Sequence, residues 1–335
     1  MVAANANRRE DLDRAKGLGI VLVVLGHIVA RSYPQHNDWF VWVKTGLYEF
    51  HMPFFMYLSG YVSFLSGAAR TPPRKWSALI RKRAFRLLVP FMIFGLAIAL
   101  GKLLLAPYLH IDHAPGDGLR DLQNLVWHTD ESAAFSIWYM AVLFVLSCVT
   151  PVLLWAIGGN TWVLFAIAAA LYALPVPHVM FLDRDATYFI FFVAGGLAAE
   201  AGERWLRAVD RNTWLSLAAL LLLVAVGVYW WQIPAKISLL VCGIVSMPAL
   251  HGCVRKAPLS ASRLLLSLGF YSFAIYILNT PCIGLAKAAL WKIAPWDGVN
   301  FLVYAPVLLI TGVWGPILIK RYVFRRLPVL DRMTQ

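Results

Sequence analysis

Charge is what this sequence has least of. Only 14% of its 335 residues are charged, and acidic groups are scarcest, 17 Asp and Glu against 30 Lys and Arg. A soluble domain is about one-quarter charged and about half apolar. This chain is 60% hydrophobic, with a mean hydropathy of +0.68, which excludes an ordinary soluble domain and a disordered chain alike. Cysteine is sparse too: Cys148, Cys242, Cys253 and Cys282 lie in or at the ends of apolar runs with no C-x-x-C spacing. A disulfide framework and a thiolate zinc site are therefore excluded. No internal repeat and no low-complexity segment is present. The net charge of +13 does not indicate a nucleic-acid partner, because the basic residues fall between apolar runs rather than along one face.

What remains is a succession of long apolar runs. They predict an all-α polytopic membrane bundle of about ten helices, over residues 17–33, 40–66, 84–106, 135–157, 161–177, 187–201, 213–232, 236–254, 264–290 and 299–320. Placing the N-terminus in the cytoplasm and alternating puts most Lys and Arg on the cytoplasmic side, among them Arg8, Arg9, Arg14, Lys16, Arg81, Lys82, Arg83, Arg86, Arg255, Lys256, Lys320 and Arg321. The outer loops are acidic, with Asp112, Asp117, Asp121, Asp130, Glu131, Asp183 and Asp185. The positive-inside rule thus predicts an inner (plasma) membrane protein with both termini cytoplasmic. Its expected parts are a cytoplasmic segment 1–16, a transmembrane domain 17–320 and a cytoplasmic tail 321–335. Basic residues followed by the apolar stretch Leu18–Ala30 have the outline of a signal peptide, but no small-x-small cleavage pattern follows, so the stretch is expected to stay as a helix. The outer loop 107–134 carries His110-Ile111-Asp112-His113; without strict ligand spacing, no metal is expected there.

Ionisable groups inside a span are costly and mark functional candidates. His27 is expected about ten residues into the first helix and His51 at similar depth in the second. A short loop joins these helices, so the two imidazoles are expected as neighbours. Glu49 is close in sequence to His51, although on a regular helix the two face apart, and Pro53 is placed to break that regularity. Lys16 precedes His27 by three helical turns, which sets both on one face about 16 Å apart. Arg83 and Arg86, before Pro90, add cations at the same rim; the cluster suits a phosphorylated ligand entering from the cytoplasm, and taken singly it also suits a topogenic signal or contact with anionic lipid headgroups. Trp138, Tyr139, Tyr276 and Asn279 lie in later spans; taken singly, Asn279 is ordinary interhelical glue and the aromatics an interfacial belt.

Two stretches carry a resemblance. Asp13-Arg14-Ala15-Lys16-Gly17-Leu18-Gly19-Ile20-Val21-Leu22-Val23-Val24-Leu25-Gly26-His27 resembles the opening helix of the acyltransferase-3 family of integral membrane enzymes. Phe50-His51-Met52-Pro53-Phe54-Phe55-Met56-Tyr57-Leu58-Ser59-Gly60-Tyr61 resembles that family's second-helix signature. Arg83 to Pro90, Trp138 to Phe144 and Tyr271 to Tyr276 agree in order, so the resemblance covers about residues 10 to 320. The family's first helix carries an Arg-x10-His pattern whose His is thought essential to acyl transfer. Here that His is His27, with Lys16 in the basic position and ten residues between. Lys in place of Arg is similar to the branch that acetylates sugars of surface polysaccharides. Asn279 stands where many members have His, and Asn cannot act as a base at neutral pH. With a tail of only 321–335, the hydrolase-like domain appended in some members is expected to be missing.

The resemblance implies an O-acyltransferase that moves an acyl group, expected to be acetyl, from cytoplasmic acyl-CoA to a hydroxyl of an exported or surface glycan. His27 would be its base or acyl carrier, with His51 and Glu49 beside it. Asp13, Lys16, Ser59, Arg83 and Arg86 would hold acyl-CoA, and Trp138, Tyr139, Tyr276 and Asn279 would face the acceptor. Acyl-CoA is a substrate, and no bound cofactor is expected. The expected partners are acyl-CoA, a glycan or lipid-linked sugar, and membrane lipids. Midplane histidines also suit a proton-coupled transporter, but no paired, Gly/Pro-interrupted spans recur in matching halves. A non-catalytic partner in polysaccharide assembly is a third possibility, in which His27 and Lys16 would be dispensable.

Overall fold

The computed structural model describes residues 9–29, 33–105, 120, 123–229 and 233–334. Arg8, Asp117, Asp121 and the His110-Ile111-Asp112-His113 stretch lie outside the described residues. Among the described residues there are helices and no strand. In order they are α1 (Glu10–His27), α2 (Asp38–Tyr48), α3 (His51–Leu65), α4 (Trp76–Arg83), a π-helical turn (Ala84–Leu88), α5 (Val89–Leu105), α6 (Trp138–Ala156), α7 (Thr161–Ala173), α8 (Leu182–Ala201), α9 (Glu203–Tyr229), α10 (Ala235–Arg255), α11 (Leu259–Trp291), α12 (Phe301–Tyr322) and the short α13 (Pro328–Met333). Among the described residues, six stretches are long and apolar enough to cross a membrane: Pro73–Leu105, Phe135–Ala156, Glu203–Tyr229, Ala235–Arg255, Leu259–Trp291 and Gly298–Arg326. The expected ten are not reached on that criterion. The other runs are charged at one end, as α1 and α8 are with Asp11, Asp13, Arg14 and Lys16 or Asp183, Arg184 and Asp185, or short, as α2, α3 and α7 are at 11, 15 and 13 residues.

Two corrections to the expected boundaries bear on the site. α1 starts at Glu10 rather than residue 17 and ends at His27, so His27 closes its helix instead of lying midway along it. The run 40–66 is two helices with a break at Glu49 and Phe50. Pro53 has no N–H to give to a preceding turn, so the chain restarts a helix at His51 and keeps Pro53 within the new first turn, where that N–H is not needed. His51 is therefore the first residue of α3.

α3 and α8 form the centre of the bundle and are buried along most of their length. They touch backbone to backbone: a Cβ at Gly60 would collide with the carbonyl of Phe192, and one at Gly195 with the carbonyl of Tyr57. α1 and α11 pack as a parallel pair in the same way, Gly17 against the Leu265 carbonyl and Gly269 against that of Asp13. Small residues that let backbones approach are the usual means of helix association in lipid, where no hydrophobic force distinguishes a neighbouring helix from an acyl chain. α5 and α9 instead turn Leu96, Leu100, Leu104, Leu215, Leu221 and Leu222 outward, as lipid-facing surfaces do.

At the end where α1 begins, four helices are tied together. Asp11 accepts hydrogen bonds from Arg9 (2.7 Å), Arg255 (3.1 Å) and Nε2 of His251 (3.2 Å). Trp205 Nε1 donates to the Tyr57 hydroxyl, which donates in turn to Nδ1 of His251, both at 2.8 Å. Arg255 also grips Asp210 with two bonds of 2.7 Å. Burial opposes ionisation of Asp11, but the hydrogen bonds from His251 and Arg9 outweigh it and hold the carboxyl well below its ordinary range. A carboxyl depressed on folding adds stability that is complete above its unfolded pKa, 3.8, and is lost as pH falls through the folded value. Asp11→Asn is therefore expected to lower stability at neutral pH by about 2–4 kcal/mol. Thermal melts of the detergent-solubilised protein should also show the wild type losing more of its margin than Asp11→Asn below about pH 4; parallel losses would contradict this.

Candidate active site

The parallel packing of α1 on α11 brings His27 against Asn279. Nδ1 of His27 lies 2.7 Å from Oδ1 of Asn279. The amide's orientation follows from its other bonds, since Nδ2 of Asn279 donates to the carbonyls of Ile275 (2.9 Å) and Tyr276 (2.7 Å). Oδ1 is left as an acceptor, so Nδ1 of His27 is the donor and the neutral ring presents a free lone pair at Nε2. Asn279 is fully buried, whereas His27, as a residue, is only half-buried. The Asn that departs from the family pattern thus serves to orient the ring.

The break before α3 positions the second imidazole. Nδ1 of His51 donates to the carbonyl of Leu47 at 2.6 Å, an acceptor from the last turn of α2, and its Nε2 is likewise free to accept. Tyr48 bridges the two histidines: its ring meets His51 edge-on at 5.0 Å, and its hydroxyl lies 3.5 Å from the Gly26 carbonyl, one residue before His27. Glu49 turns elsewhere. It lies beside Ser238 and in the surroundings of Tyr172, Tyr188 and Cys242, with Oε2 buried and unpartnered among the described residues. No hydrogen bond joins it to His27 or His51 there.

The start of α6 closes the opposite wall. Its Tyr139 N–H donates to the Tyr276 hydroxyl (3.0 Å), and the two rings meet at 5.6 Å. Ser136 and Thr280 share a hydroxyl–hydroxyl bond of 3.0 Å. Trp138 packs on Tyr139 at 6.3 Å and on Tyr188 at 4.9 Å. Trp138, Tyr139, Tyr276 and Asn279 therefore form one contiguous wall ending at His27. Ser59 belongs with this wall: its hydroxyl pairs with that of Tyr139 at 2.5 Å.

The basic residues of the expected rim lie on three elements: Lys16 on α1, Arg83 at the end of α4 and Arg86 on the π-helical turn. Lys16 pairs with Asp13 at 3.2 Å. Arg83 is half-buried, close to Cys148 on α6, and makes no ion pair or hydrogen bond among the described residues; Arg86 is exposed on the π-helical turn. α1 packs mainly on α3, α10 and α11, while the π-helical turn packs on α4, α5 and α6. Sequence reasoning missed Tyr48, the Ser136–Thr280 pair and the His251–Tyr57 pair. Their only signal is a polar group in an apolar run, which many structural residues share.

The described residues thus form a helical membrane bundle in which the His27 imidazole, held through Nδ1 by Asn279, lies beside phenol, hydroxyl and indole groups. The chain belongs to the acyltransferase-3 family: the family profile described as an acyltransferase domain matches residues 9–321. It is similar to nodulation protein NolL of Sinorhizobium fredii (strain NBRC 101917 / NGR234), 34% identical over 133 residues, which cover 37% of this chain and 34% of that protein. It is also similar to nodulation protein NolL of Mesorhizobium japonicum (strain LMG 29417 / CECT 9101 / MAFF 303099), 37% identical over 95 residues, covering 28% and 24%. The chain thus spans about one-third and one-quarter of the length of these relatives. No solved structure matches it. What the fold and the family define together is an acyltransferase domain built into an integral membrane helix bundle.

Proposed function

We propose that the protein is an O-acyltransferase that takes an acyl group, acetyl in the simplest case, from acyl-CoA on the cytoplasmic side and delivers it to a sugar hydroxyl reaching the site from the other side. The observation that carries this reading is the bond from His27 to Asn279, which leaves Nε2 as a base where a hydroxyl can approach. Lys16, Arg83 and Arg86 are the cations for the donor's phosphates, and the donor's pantetheine arm is comparable to the roughly 16 Å from Lys16 to His27. As the acceptor oxygen attacks the thioester carbonyl, its proton passes to Nε2 of His27. The imidazolium so formed sits at the C-terminal end of α1, where the helix dipole favours positive charge. The tetrahedral intermediate expels the CoA thiolate, which takes up the proton, leaving an ester on the sugar and CoA thiol. His51, with Nδ1 engaged, accepts from the acceptor hydroxyl or a water rather than donating to the oxyanion while neutral.

Purified protein supplied with acetyl-CoA and a glycan fraction is expected to release thiol only when the acceptor is present, and the glycan mass should rise by one acetyl group. Glycan flux through proteoliposomes without any acyl donor, and no thiol release with it, would favour transport and overturn the proposal.

A further inference from the structure

Arg184, in the first turn of α8, is held in an unusual way. Its guanidinium carbon lies 4.5 Å from the ring centroid of Phe135 and 4.6 Å from that of Trp138. The side chain is 22% exposed and forms one ion pair among the described residues, 3.8 Å from Asp130, too long for a hydrogen bond. It donates no hydrogen bond among the described residues, and its Nε is buried and unpartnered. Among the described residues no acidic neighbour hydrogen-bonds it. Asp183 is bound by His178 at 3.0 Å. Asp185 is buried with neither carboxylate oxygen partnered; burial and nearby Asp183 push its carboxyl up to about 8, so at neutral pH it is mostly uncharged.

A guanidinium has five N–H donors in a planar fork. Two aromatic faces fix the plane of this one without using any of the five. The residue adjoins the proposed acceptor wall directly, since Trp138 packs on Tyr139 and Tyr139 is bonded to Tyr276. We propose that Arg184 binds an oxyanion carried by the acceptor, and so selects acidic acceptors to dock over Trp138. Carboxylate and phosphate both match the fork. One would come from the sugar itself, the other from a phosphate linkage to a lipid carrier. The term acceptor rests on the acyl-transfer reading, whereas the anion site can be tested without it.

The test is calorimetric titration of the full chain in nanodiscs with four probes: glucuronate, its neutral counterpart glucose, polyprenyl phosphate and its neutral counterpart polyprenol. One anion is expected to bind at least roughly tenfold more tightly than its neutral counterpart, as a charge-assisted fork permits. Glucuronate preference assigns the anion to the sugar, and phosphate preference assigns it to the carrier. Arg184→Gln should abolish the preference. Arg184→Lys, which keeps the charge and loses the fork, should weaken it and decides the matter if the Gln variant does not fold. No preference for either anion in the wild type, or an undiminished preference in a folded variant, overturns the proposal. His27→Ala should keep the anion preference, so failure of this site and failure of the acyl-transfer reading are distinguishable.

Discussion

Replacing His27 by Ala is expected to lower acceptor-dependent thiol release about 10²–10⁴-fold, the range that general-base catalysis supplies, or about 3–5 kcal/mol in the barrier. The expectation follows from the ring's surroundings. Nδ1 is committed to Asn279, so all of the ring's basicity lies at Nε2. Among the described residues the other nearby groups are poorer substitutes: Asn279 is not basic, the Tyr139 and Tyr276 hydroxyls are already bonded, Glu49 faces α10, and His51, the remaining imidazole, is anchored through Nδ1 to Leu47 at the start of another helix. The variant should fold, because His27 is a partly exposed helix-terminal residue. Asn279→Leu, which removes the acceptor that sets the tautomer, should lower the same rate by a smaller factor while leaving Nε2 chemically competent. Unchanged acceptor-dependent release in His27→Ala would end the general-base assignment, and a drop in the Asn279 variant as deep as that in His27→Ala would mean that Asn279 does more than orient the ring.

The second large effect concerns the fold. Gly60→Val is expected to destabilise the protein by at least about 3 kcal/mol, because the added side chain meets backbone and not a side chain that could swing aside. The obstacle is the Phe192 carbonyl of α8. α3 carries His51 at its start and Ser59 one residue before the contact, so separating α3 from α8 would also disturb the wall around Tyr139. Gly101, on α5, is the control: a Cβ there meets nothing within 4 Å, and Gly101→Ala should be neutral or stabilising by up to about 1 kcal/mol. Thermal unfolding in detergent measures both. A wild-type melting temperature for a folded Gly60→Val protein would refute the close packing of α3 on α8.

The class of the molecule was legible from composition because membrane insertion is decided by averages over about twenty residues. The span count was not legible in the same way: averaging treats the charged start of α1 and the break in the second run as noise, although both shape the site. The basic rim was visible as residue types, yet the sequence has no measure of which helix packs on which: α1, which carries Lys16, packs on α3, α10 and α11, whereas α4 and the π-helical turn, which carry Arg83 and Arg86, pack on α6. Glu49 illustrates local geometry prevailing over sequence distance. Two residues from His51, it points toward Ser238 on another helix.

By itself, the sequence determined a helical membrane protein, the two imidazoles as its polar exceptions, and the Lys-x10-His spacing, all properties carried within one or two helices. The tertiary structure alone decided that Asn279, 252 residues from His27, orients that ring, that Ser59 joins Tyr139, and that Arg184 lies between two aromatic rings. The physical reason is that a hydrogen bond or a ring contact depends on positions good to a fraction of an ångström, which are set by where glycines let helix backbones meet and not by the order of residues along the chain.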